Sequence, residues 1–134
     1  MAEMIELEVA TPERLLVREQ VTEVQVPGTN GYMGILPEHA PLLSQLGTGY
    51  LSYTAGGKRR YLSIHSGFVE VLPDHVRVLA DLAERAEEID IERARKALQR
   101  ALNELENPSV GTDPAAALAA MQRAQARIAA AEQK

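Results

Sequence analysis

Val76-Arg77-Val78-Leu79-Ala80-Asp81-Leu82-Ala83-Glu84-Arg85-Ala86-Glu87-Glu88-Ile89-Asp90-Ile91 is the stretch where the two halves of this 134-residue chain meet. Before it, apolar side chains recur at every second residue; after it, they recur at helical spacing. Upstream, Ile5, Leu7 and Val9 alternate with Glu6 and Glu8, which gives one buried and one wet face. The same alternation returns at Thr22-Val24-Val26, Leu62-Ile64 and Val69-Val71. Ala55-Gly56-Gly57-Lys58 predicts a hairpin turn between Leu51-Tyr53 and Leu62-Ile64, and Pro73-Asp74 a turn before Val76. Many short strands with close turn signals predict an antiparallel sandwich or barrel over residues 1–84.

Downstream, Ile91, Ala94, Leu98, Ala101, Leu102 and Leu105 keep helical spacing, with Asp90 as N-cap. Asn107-Pro108 ends that helix and Gly111 lies in the turn. Asp113-Pro114 starts a second helix as N-cap and first helical residue, running to about Glu132. A short connection makes the two an antiparallel hairpin over residues 85–134. The fold class is therefore α+β, an N-terminal antiparallel β-sandwich followed by a C-terminal two-helix hairpin. The second helix is mostly alanine, and its large apolar residues are Leu118, Met121 and Ile128. Alanine gives high helix propensity but little surface to bury. That helix should form readily and dock weakly, as a movable part would; a thin helix permanently packed on the sandwich is the plainer reading.

The composition excludes several classes. A formal charge of −5 speaks against a nucleic-acid binder. The chain has no cysteine, so thiol nucleophiles and thiolate metal sites are out. The hydrophobic fraction of 46% supports a real core, and the aromatic fraction of 4% means that core is aliphatic. Met1-Ala2-Glu3-Met4-Ile5-Glu6 lacks the features of a signal peptide, and no stretch approaches the ~20 apolar residues of a membrane span. Direct membrane insertion is not expected.

The chemistry concentrates in arginines. Asp90, Arg93, Ala97 and Arg100 form one stripe of the first helix, and Arg123 and Arg127 one stripe of the second. Antiparallel pairing near Pro108-Ser109-Val110 brings 127 level with about 92 and 123 with about 96. Arg93, Arg100, Arg123 and Arg127 then share a neighbourhood. Glu92 can pair with Lys96 and Glu104 with Arg100, but no acid lies between Asp113 and Glu132 to serve Arg123 or Arg127. Clustered guanidiniums repel unless an anion sits among them, and bidentate phosphate binding is the chemistry arginine suits best. Asp90 and the Glu87-Glu88 pair can neutralise part of the charge instead.

Neither G-x-x-x-x-G-K-[ST] nor G-x-G-x-x-G occurs. Gly28, Gly31 and Gly34 precede Ile35-Leu36-Pro37, not a helix N-terminus, and read as turn glycines in an exposed loop. His39, His65 and His75 are scattered without metal-ligand spacing and read as ordinary residues at loops or strand ends. No nucleophile–base motif is present, so no catalytic residue is assigned.

Two segments carry a family resemblance. Val26-Pro27-Gly28-Thr29-Asn30-Gly31-Tyr32-Met33-Gly34-Ile35-Leu36-Pro37-Glu38-His39-Ala40-Pro41-Leu42, with Leu46-Gly47-Thr48-Gly49, resembles the PG-G-GILP-HAPL-L-G signature of the epsilon subunits of bacterial F-type ATP synthases. Gly67-Phe68-Val69-Glu70-Val71, Val78-Leu79-Ala80-Asp81, Ala83-Glu84-Arg85-Ala86 and Ile89-Asp90-Ile91-Glu92-Arg93-Ala94 resemble that family's GGFVEV, VLAD-AERA and I-D-x-x-R-A blocks. Ser66 departs from the first glycine of GGF.

The resemblance implies a non-catalytic rotor subunit of the proton-translocating synthase, peripheral on the cytoplasmic face of the plasma membrane. It implies a ten-stranded sandwich docked on the gamma subunit and the c-ring, with Tyr32, Met33, Glu38 and His39 near that contact. The hairpin would be a switch that inhibits ATP hydrolysis when extended toward the catalytic α/β subunits and permits turnover when folded down. ATP would be a regulatory ligand of the folded form, held by Glu84, Ile89, Asp90, Arg93, Ala94, Arg100, Arg123 and Arg127. The arginines would take the phosphates, Asp90 would position Arg93 and cap the helix, and Glu84 and the backbone near Ile89 would help hold the adenosine. Mg²⁺ can accompany ATP, but no carboxylate cluster marks a metal site from protein side chains. One alternative keeps the subunit and sends the arginines to acidic α/β surfaces; a small hydrolase or transferase and a standalone nucleotide-binding adaptor are others.

Overall fold

The computed structural model describes residues 4–133; the reading of Met1 to Glu3 as free of a leader lies outside them. Seven strands form one sheet in the order β2-β1-β7-β6-β5-β3-β4. They are β1 (Ile5–Ala10), β2 (Leu15–Val21), β3 (Glu23–Gly28), β4 (Gly31–Ile35), β5 (Leu42–Ala55), β6 (Lys58–Leu72) and β7 (His75–Arg85). The sheet folds over on itself, bringing β2 into contact with β5. Its inner face is the core, where Ile5, Leu7, Val9, Val24, Val26 and Ile64 are fully buried. Tyr53 is the one aromatic in this aliphatic cluster, and its hydroxyl donates to Glu19 at 2.8 Å.

Two features differ from the expectation. Ten strands become seven because the runs Leu62-Ile64 and Val69-Val71 belong to one continuous β6, and β5 and β7 are similarly long. In addition, β1 pairs with β7 in parallel, Glu6 opposite His75 and Val9 opposite Val78, while every other pair is antiparallel. Alternation tells which side chains face inward; it says nothing about the direction of the neighbouring strand.

β6 bends at Ser66 and Gly67, with φ of 61° and 137°. A Cβ on Gly67 would run into the Leu79 carbonyl and sit 2.7 Å from the Ala80 Cα, so only glycine lets β7 pass this closely. The β5–β6 turn uses Gly56 and Gly57 at φ of 58° and 74°, the left-handed pair that a two-residue hairpin with right-twisted strands requires.

A single 3-10 turn at Ala86–Glu88 leads into α1 (Ile91–Glu106) and α2 (Pro114–Glu132). Asp90 caps α1 by accepting from the Arg93 N–H at 3.1 Å, and Asp113 caps α2 by accepting from Ala115 at 3.0 Å. α2 lies against β5, β6 and the 3-10 turn, with α1 packed on it. Leu118 is 45% exposed, and Met121 and Ile128 are only half-buried. Ala117, Ala124, Ala126, Ala130 and Ala131 are the buried residues of the helix. Small side chains let the helix approach closely, and each contributes about 0.8 kcal/mol per buried methylene-sized group.

Candidate anion site between the helices and the sheet

Glu84, the next-to-last residue of β7, lies where the sheet meets the hairpin. Its Oε1 accepts from Arg127 Nε of α2 at 2.6 Å. Arg127 therefore has a partner, supplied by the sheet, where its own helix offers none. Ile89 follows the 3-10 turn and is buried with Ala130 and Ala131 of α2 against Tyr50 and Tyr61. Asp90 spends one carboxylate oxygen on the helix cap. Arg93 and Arg100 project from the exposed side of α1, while Ala94 is buried between them.

These residues line a cleft of about 580 Å³, within the size range of small-molecule sites, about 300–1,000 Å³. Glu84, Ile89, Asp90, Arg93, Ala94, Arg100 and Arg127 all contribute. Arg123 is exposed and is not part of the lining; its charge acts instead on His65 of β6. Spacing put Arg123 and Arg127 on one stripe, but not on which side of the stripe α1 would pack. Lys96, Ala97 and Glu88 complete the wall. Lys96 lies three residues from Arg93 on the same face, so its spacing was a usable signal. Pairing it with Glu92 hid it; Glu92 is instead bound to Arg95 at 2.6 Å.

The charges in the cleft are unequally satisfied. Glu84 is taken by Arg127. Glu88 is taken by Arg14 of the segment before β2, at 2.7 and 2.9 Å, and by the Arg85 N–H. The hydrogen bond from Arg14, and then that from Arg85, hold the Glu88 carboxyl down to a pKa of about 2. Among the described residues, Arg93, Lys96 and Arg100 have no such carboxylate. Three unpaired cations on one wall can attract an anion, and guanidinium groups favour phosphate oxygens. In the other mixed cluster, Glu6, Glu8 and His75, the two carboxylates already lie 3.6 to 4.0 Å from Arg18 or Arg77.

The other candidate residues lie far from the cleft in sequence. Tyr32 of β4 is 46% exposed, accepts from the Tyr50 N–H at 3.2 Å and packs on the Tyr50 ring at 4.9 Å. Gly49 makes room for it: a Cβ there would lie 2.8 Å from the Tyr32 hydroxyl. Met33 packs partly against the core, and Glu38 (φ 67°) and His39 sit in the turn after β4. Gly28 and Gly31 face each other across the β3–β4 hairpin, so the glycine segment is largely strand.

A larger exposed apolar surface lies on the outer face of β5, β6 and β7, where Leu43, Phe68 and Leu79 are 71%, 55% and 53% exposed. Phe68 is registered directly against Leu79. The alternation of Phe68 with buried Val69 and Val71 is the local signal that places it outward.

Comparison with known proteins agrees along the whole chain. Residues 4–86 match the family model described as ATP synthase, Delta/Epsilon chain, beta-sandwich domain, and residues 87–132 match that of the long alpha-helix domain. The chain is 65% identical over 134 residues to the ATP synthase epsilon chain of Solibacter usitatus, covering 100% of both. It is 48% identical over 128 residues to that of Nitratidesulfovibrio vulgaris, covering 96% of each. Among solved structures it resembles a chain of the Euglena gracilis mitochondrial ATP synthase, with a TM-score of 0.84 and 27% identity over 97% of this chain and 82% of that one.

Proposed function

The chain belongs to the ATP synthase delta/epsilon family as an epsilon chain, and from that premise we propose that its hairpin is a brake on ATP hydrolysis, applied when extended and held off in the folded form by bound ATP. The epsilon chain is a stalk subunit; the catalytic sites are in other subunits. The observation that carries the proposal is the cleft in which Arg93, Lys96 and Arg100, without carboxylate partners among the described residues, share a lining with Arg127 of α2.

In this reading Arg93, Arg100 and Arg127 receive the phosphates of ATP, with or without Mg²⁺. The end of β7 and the backbone near Ile89 hold the nucleoside. A ligand bound only by the docked form stabilises it by RT ln(1 + [L]/Kd), about 2.7 kcal/mol at a hundredfold excess over Kd. That is comparable with what a helix docked through alanines can supply. Plentiful ATP keeps the hairpin down; scarcity releases it toward the α/β subunits.

The sandwich carries the assembly contacts in this proposal. Tyr32, Met33, Glu38 and His39, with the outer face at Leu43, Phe68 and Leu79, meet the gamma subunit and the c-ring at the cytoplasmic face of the membrane. No described helix is long and apolar enough to cross a membrane. The exposure of Arg123 outside the cleft favours a role for that residue on an acidic α/β surface once the hairpin extends.

The test is calorimetric titration with ATP, ADP and AMP, with and without Mg²⁺. Affinity should fall as phosphates are removed. The Asp90→Ala/Arg93→Ala chain should lose binding while its sandwich stays folded. Absence of ATP binding up to millimolar concentration would leave the subunit assignment and move the arginines to a protein partner.

A further inference from the structure

His65 stands in the middle of β6, not at a strand end, and is 5% exposed. Its Nε2 lies 3.2 Å from Ser63 Oγ, and its buried Nδ1 has no hydrogen-bond partner among the described residues. The groups facing it come from two other elements. Glu84 of β7 approaches Nε2 at 4.0 Å, while Arg127 and Arg123 of α2 add positive charge. Its strand neighbours, Thr48 on β5 and Leu82 on β7, carry no charge.

We propose that docking of α2 is proton-linked through His65. With the helix docked, the imidazole is sealed in neutral and Glu84 belongs to Arg127. With the helix released, His65 takes a proton and Glu84 becomes its counter-ion. The inference shares with the proposed function only the premise that α2 leaves the sheet; it needs no nucleotide.

The physical reason is an exchange of partners. An imidazolium has two N–H donors, and the docked structure offers Nδ1 no acceptor. It would also add a third cation beside Arg123 and Arg127. Releasing α2 removes both arginines, wets the ring and frees the carboxylate 4.0 Å away. Burial first, and then Arg127, hold the docked pKa down to about 4, against an ordinary 6.5. Because the docked value is the lower one, the released state binds more protons. Docking is at full strength above about pH 6.5 and weakens as pH falls toward 4. From pH 7 to pH 5 the docking equilibrium should shift on the order of tenfold.

The chain has no cysteine, so the released state can be read by thiol labelling. Ala130→Cys reports release because Ala130 is fully buried against the sheet, and Gln125→Cys is an exposed control. A pyridyl disulfide is the probe, and no nucleotide is present. The buried-to-control rate ratio should rise on the order of tenfold from pH 7 to pH 5 and should be flat when His65→Gln is added. A flat ratio with His65 in place, or the same rise with His65→Gln, overturns the proposal. Should His65→Gln fail to fold, the His65 ring is followed by NMR in the otherwise unchanged Ala130→Cys chain. A titration midpoint near 6.5 with an unchanged labelling ratio then overturns it. Failure of ATP titration at pH 7 alongside pH-linked labelling removes only the nucleotide reading.

Discussion

Glu84 and Arg127 join β7 to α2 through a 2.6 Å contact between Oε1 and Nε, across 43 positions of sequence. Among the described residues it is the ion pair that ties the hairpin to the sheet. Each side chain is 28% exposed, so solvent screens the pair only in part. Its coupling energy should lie between a surface pair and a buried one, about 1–2 kcal/mol. A double-mutant cycle of Glu84→Gln and Arg127→Gln, read as the labelling of Ala130→Cys at pH 7, measures it. Additive single effects would mean that the contact does not hold the helix.

Ser66→Gly should stabilise the chain by about 0.5–1 kcal/mol, because a serine at φ 61° sits in a conformation that costs little only for glycine. Gly67→Ala, by contrast, must push β7 aside and should cost about 3 kcal/mol or more. Urea midpoints of the two variants, moving in opposite directions, check both.

Arg14→Gln should flatten the acid limb of stability. Glu88 titrates lower in the folded chain than unfolded, so it stabilises above its ordinary pKa of 4.5, and that is lost as pH falls toward 2. Both side chains are a third exposed or more, so screening limits the contribution to about 1 kcal/mol. The variant should differ from the parent in urea at pH 7 and match it near pH 2. An equal difference at both values would assign Arg14 a packing role only.

Phe68→Ser should leave the urea midpoint nearly unchanged, since the ring is 55% exposed. If the outer face meets the gamma subunit, binding to purified gamma should weaken at least tenfold, about 1.4 kcal/mol. Unaltered binding would move the contact to the loop around Glu38 and His39.

Local chemistry was legible where a residue acts on its own neighbourhood. Asp90 and Asp113 cap the helices they were expected to cap, and Gly56-Gly57 makes the hairpin turn. Seven of the eight candidate site residues line one cleft because helical spacing and a short connection constrain the hairpin. Arg123 is the eighth, and its position depended on which flank of α2 met α1. Leu118 misled for a related reason: size says how much a side chain gains by burial, whereas the close approach of α2 to the sheet selects the alanines.

The sequence by itself determined the two grammars, the turns and caps, and the family. Each rests on residues within a few positions of one another, where backbone geometry leaves few choices. The tertiary structure alone decided that β1 runs parallel to β7, that Arg14 reaches Glu88, and that His65 is sealed beneath α2 beside Glu84 and Arg127. Those partners are separated by tens of residues. Periodicity tells a side chain which face to take, but only packing supplies the group that waits there.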